Sequence, residues 1–169
     1  MATSREAELR AELGNLLRAV GAEPPVEARE LCRLVGAHLG KPINLAGRPI
    51  PTASGAGAAM AVGEGYLVLY QAATDRVHQT HIILHELVHI VRGHLDRETT
   101  SDLTCRFTDV GDSPEPTDPA AQVMEWEAET GAAILGEWND GDQALWARAG
   151  RDRGAFRFGA ALQGPFRWT

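Results

Sequence analysis

Lysine is almost missing from this 169-residue chain: Lys41 stands alone, and the other basic residues are all arginine. Acidic residues outnumber basic ones, 23 to 16, for a formal net charge of −7. That balance argues against a nucleic-acid backbone as the main partner. Cysteine is scarce too. Cys32 and Cys105 are far apart with no Cys-x-x-Cys spacing, so a disulfide framework is not expected and a reduced compartment fits better. No apolar run approaches a membrane span. The opening Met1-Ala-Thr-Ser-Arg-Glu-Ala-Glu8 is charged and runs into a helical pattern instead of a secretory signal. A soluble cytoplasmic protein is the expectation. An apolar fraction of 44% and a length suited to one compact domain allow a proper core.

Glycine and proline are absent from one stretch in particular, Val77-His-Gln-Thr-His-Ile-Ile-Leu-His-Glu-Leu-Val-His-Ile-Val91. Its apolar residues recur at helical spacing. Within it lies His85-Glu86-Leu87-Val88-His89. On a helix His85 and His89 project from one face a turn apart, so both imidazoles can reach one ion. Glu86 is rotated from His85 by roughly a quarter turn, which sets its carboxylate beside an ion instead of on it. A carboxylate there can take a proton from water activated at the metal. Zinc-dependent hydrolysis is the expected chemistry.

The remaining pattern predicts an α+β domain, with helices packed on a small twisted, mostly antiparallel sheet and a cleft between the sheet edge and the histidine helix. Helices are expected at 4–20 and at about 24–39, followed by a short strand at 43–45 and a loop at 47–57. Ala58–Val62 and Tyr66–Tyr70, joined by Gly63-Glu64-Gly65, read as a hairpin. Thr74 or Asp75 is placed to cap the histidine helix and Gly93 to stop it. Residues 94–120 read as a long acidic surface loop, 121–138 as a helix, and 143–149 as a short helix before an Arg/Phe/Gly-rich tail. In domain terms this divides the chain into an N-terminal helical segment packed on the domain (1–45), a core (46–150) and a C-terminal tail (151–169).

Two histidines do not hold zinc alone; a catalytic site usually has three protein ligands. His81 and His89 are two turns apart, about 12 Å along a straight helix, so His81 is assigned at most a substrate or supporting role. His94 misses the spacing of the extended three-histidine pattern and reads as a surface or helix-end residue. A carboxylate from the later helix remains, where Glu125-Trp-Glu-Ala-Glu129 offers three. Glu125 and Glu129 share a face, while Glu127 points away.

Taken in order, the strand Gly65-Tyr-Leu-Val-Leu-Tyr70, the helix Ile82–Val91 and the motif Glu125-x-Glu-Ala-x-x-x-Ala-Ala-x-Leu135 resemble the ImmA/IrrE family of gluzincin-like metallopeptidases. The resemblance spans residues 58 to 136. It implies a zincin-like core and a Zn2+ cofactor. It also implies Glu125 as third ligand beside His85 and His89, with Glu127 in reserve, and Glu86 as the catalytic base. The chain departs from the family pattern at Val88, where the family usually has Gly, and at Glu129 and Gly131, where it has Asn and an aromatic residue. Family members act beside helix-turn-helix repressors, so the implied function is a zinc metallo-endopeptidase cleaving such a transcriptional repressor. Nearby candidates for oxyanion stabilisation are His78, His81, Arg92 and His94. Two other readings are a non-catalytic, zinc-stabilised protein that sequesters a transcription factor, and the toxin half of a toxin–antitoxin pair. Trp126, Trp138 and Trp146 read as core or interface anchors, and Cys32 as a buried small hydrophobe.

Overall fold

A computed structural model describes residues 4–50, 56–96 and 118–139. The expected helix at 143–149, the tail at 151–169, Cys105, Trp146 and positions 97–117 of the acidic segment lie outside the described residues. The rest forms an α+β fold of four helices and a three-stranded sheet: α1 (Ser4–Ala19), α2 (Ala28–Leu39), β1 (Ile43–Arg48), β2 (Gly57–Val62), β3 (Gly65–Gln71), α3 (Arg76–Val91) and α4 (Pro119–Gly136). No described helix is long and apolar enough to cross a membrane.

The sheet order is β1-β3-β2. β2 and β3 are antiparallel around a two-residue turn, Gly63-Glu64, with Val62 paired to Gly65 and Gly63 at φ 59°. Glycine at the first turn position accepts that positive φ without strain. β1 runs parallel to β3, Ile43 opposite Tyr66 through Arg48 opposite Gln71. The sheet is therefore evenly mixed. β1 also extends beyond the expected Ile43–Leu45 through Gly47 and Arg48, because β3 offers it a partner at every residue. α2 starts at Ala28, later than the proline pair suggested. The segment before it is tied to the turn after α4 instead, where Val26 N–H donates to the Trp138 carbonyl (2.9 Å).

One apolar cluster joins the helices. Leu9, Leu13 and Leu17 of α1 meet Leu31, Cys32 and Val35 of α2, Leu84, Leu87 and Val88 of α3, and Ala128, Ala132 and Leu135 of α4. Each α1 residue is four positions from the next, so one stripe faces inward. Small residues on α4 let α3 come close. Burial pushes the Cys32 thiol up to about 12, which leaves it protonated and chemically inert.

Candidate metal centre

α3 begins where Asp75 accepts a hydrogen bond from His78 N–H (2.9 Å). The Asp75 side chain thus satisfies one of the donors left open at a helix start. α4 begins with Pro119 in its first turn, while Asp118 accepts from Ala120 N–H (3.2 Å). Proline suits this position because its missing N–H has no helical partner to lose. With both starts anchored, the apolar stripes of α3 and α4 pack together. The histidines of α3 and the glutamates of α4 then meet along the next ridge.

That ridge brings His85, His89 and Glu125 together, with one ligand atom from each within 4.8 Å of the others. The two histidine Nε2 atoms are 3.1 Å apart. Glu125 straddles them, one oxygen 3.5 Å from His85 Nε2 and the other 3.7 Å from His89 Nε2. For metal–ligand bonds of roughly 2.0–2.1 Å, two ligands of a tetrahedral zinc are about 3.3 Å apart. The observed separations bracket that edge. Two imidazoles and one carboxylate also match the three-ligand set of open catalytic zinc sites. These residues fit a zinc ion.

The electrostatics favour a cation. Burial alone would push the His85 imidazole down. Its pairing with Glu125 and Glu129, and the charges of Glu86 and Glu125, reverse this and raise it to about 10. Glu129 shows the other half of the exchange. Burial pushes its carboxyl up, but pairing with His81 and His85 brings it down to about 2. Negative charge that holds a proton on an imidazole also favours a divalent ion in the proton's place.

Glu129 lies behind this set. Its Oε2 is 3.6 Å from His85 Nδ1 and 3.1 Å from His81 Nε2. His81, His85 and Glu129 themselves form a second possible ligand group. However, a neutral imidazole has one lone pair, and His85 cannot serve both groups without losing its last ring proton. Glu129 is better suited to orienting His85, as carboxylates do behind metal-bound histidines. Its place on the Glu125 face, four residues on, was visible in the spacing.

Of the two places expected for His94, surface or helix end, the structure shows the helix end but buries the residue. It sits in a short 3-10 turn (His94–Asp96) and is only 1% exposed. Its Nδ1 lies 3.1 Å from His89 Nδ1 and its Nε2 3.1 Å from Glu127 Oε2. Glu127 is buried against Arg92 and His94 and is in neither ligand group. It accepts from Arg92 Nε (3.1 Å) and lies 3.7 Å from Arg5. Arg92 also pairs with Glu12 of α1. No spacing rule announces His94: its contact with His89 arises because the chain turns back immediately after α3.

Glu86 is buried and belongs to neither ligand group. Strand β2, an edge of the sheet, passes close to it. A Cβ on Gly57 would run into Ile82 and come within 3.2 Å of Glu86 Oε1. A bare backbone at Gly57 therefore lets the strand approach the carboxylate. Val88 and Gly131 meet in space: a Cβ on Gly131 would lie 2.8 Å from a Val88 methyl. The bare backbone at Gly131 leaves room for Val88 and keeps the helices at close range. Of the other candidate donors, His78 pairs through Nδ1 with Thr74 (2.9 Å), and burial lowers its pKa.

Neither a family model, nor a curated protein, nor a solved structure matches this chain.

Proposed function

We propose that this chain is a zinc-dependent metallo-endopeptidase, with His85, His89 and Glu125 holding the metal and Glu86 as general base. The observation that carries this reading is the convergence of two Nε2 atoms and one carboxylate at tetrahedral spacing. A buried carboxylate next in sequence to the first ligand stays outside the set. When bound, zinc supplies Lewis acidity that polarises a carbonyl and acidifies water. Glu86 takes the proton of the attacking water and delivers it to the departing amide nitrogen. Glu129 holds the His85 ring in place from behind. An extended substrate segment laid against the β2 edge would pair with its backbone and pass beside Glu86.

The substrate class follows from the sequence resemblance to ImmA/IrrE peptidases: a partner protein, in particular a helix-turn-helix transcriptional repressor in a regulatory circuit. A cytoplasmic setting belongs to the same reading. Metal analysis of purified wild type and Glu125→Ala, paired with incubation of wild type and Glu86→Gln with a repressor encoded beside the gene, tests it. One zinc per wild-type chain, repressor fragments from wild type and intact repressor with Glu86→Gln are expected. A stable complex without cleavage by wild type would reject the peptidase reading in favour of sequestration.

A further inference from the structure

His89 is backed through its Nδ1 by a second histidine, His94. The order of atoms is fixed: His89 Nε2 faces the ligand set, His89 Nδ1 faces His94 Nδ1 at 3.1 Å, and His94 Nε2 faces Glu127 Oε2 at 3.1 Å. An ionised carboxylate only accepts hydrogen bonds. Glu127 Oε2 also accepts from Arg92 Nε at 3.1 Å, a contact that suits a carboxylate. His94 Nε2 is therefore the donor at that end. A neutral ring carries one N–H, so His94 Nδ1 holds a lone pair and accepts from His89 Nδ1–H. The lone pair of His89 is then on Nε2, directed at His85 and Glu125. In the opposite tautomer of His89, a proton would occupy the position the metal must take.

We propose that His94 and Glu127 form a relay that locks His89 in the Nδ1–H tautomer and so presents Nε2 as a ready metal ligand. This rests on the metal-centre reading above. Both residues are positioning residues: neither belongs to a ligand group, and each acts through His89. Arg92 anchors the outer end, bonding Glu127 and Glu12 together. The relay thereby ties the ligand to α1, α3 and α4 at once.

Cobalt(II) titration of metal-stripped protein, followed by visible absorption, tests the relay without any substrate. His94→Phe fills the ring's space but cannot accept from His89 and should bind cobalt about 10–100-fold more weakly than wild type. His94→Asn places an oxygen near the former Nδ1 and should bind more tightly than His94→Phe, although it packs less well. A role in packing alone predicts the reverse order, and that order would overturn the relay. Glu127→Ala cuts the outer end without touching the buried ring and should also weaken cobalt binding. Adding it to His94→Phe should cost less than about twofold more, because the chain is already broken. Far-UV circular dichroism of each stripped variant checks that it folds; should His94→Phe not fold, Glu127→Ala decides. Cobalt affinity unchanged in a folded His94→Phe or in Glu127→Ala overturns the proposal while leaving the metal centre intact. A wild-type protein that binds no cobalt overturns both.

Discussion

α3 and α4 share two neighbouring ridges that could hardly be less alike. Along one, Leu84, Leu87 and Val88 press against Ala128, Ala132 and Leu135, all essentially removed from solvent. Along the other, His81, His85 and His89 face Glu125 and Glu129, with Nε2 and carboxylate oxygens between 3.1 and 3.7 Å apart. The apolar ridge gains from contact with no directional demand. The polar ridge is costly to bury unless every group meets a partner. The first sets the distance between the helices, and the second uses that distance to bring three ligand atoms to metal-binding range. Stability and chemistry are thus separable along one interface, and substitutions on the two ridges should behave differently.

The sharpest separation is expected at Glu86. Glu86→Gln should lower peptide hydrolysis by about 10²–10⁴-fold, the usual worth of a positioned base. It should keep one metal per chain, as read by fragment formation and metal analysis side by side. Next comes the ligand set: Glu125→Ala should purify with well under one zinc per chain yet show a helical circular dichroism spectrum. Loss of folding in that variant would break the division between the ridges.

On the apolar side, Leu87→Ala should destabilise the fold by about 2–5 kcal/mol in urea unfolding of metal-stripped protein. A smaller effect is expected where Val88 meets Gly131. Gly131→Ala should cost about 1–3 kcal/mol through overpacking, and combining it with Val88→Ala should recover part of that loss in a double-mutant cycle. Additive losses would show that the two residues do not share the space.

The mildest prediction concerns pH. The raised His85 pKa means that metal must displace a proton. Apparent zinc affinity should therefore rise by roughly tenfold per pH unit from pH 6 to 8. The stripped protein should move the other way. A proton on His85 that is bound more tightly in the folded chain stabilises it fully below the ordinary value of 6.5, and that contribution disappears as pH rises through about 10. Unfolding midpoints of stripped protein across pH 6 to 10 check the sign.

Local sequence was informative wherever one helix carried the argument. The unbroken run ending at Val91, its capping Asp75 and the one-turn spacing of His85 and His89 all follow from nearest-neighbour geometry. The hairpin around Gly63 was equally plain. The structure departs from these local expectations where two elements meet. β1 runs past Leu45 to Arg48 because its extra residues are held by β3 and not by their own propensity. His94 lies at the end of the helix but is buried, and nothing in its neighbours reveals that the turn after α3 folds it behind His89.

The sequence by itself determined that two imidazoles and a carboxylate would share one helical turn, because a 3.6-residue period leaves no other arrangement. It also narrowed the candidate third ligand to a cluster of glutamates spaced two apart. Only tertiary packing decided which glutamate came forward and which turned back toward His94, since the rotation of α4 over α3 depends on how their small and large apolar residues interlock. That rotation is a property of two surfaces in contact, and no single stretch of chain encodes it alone.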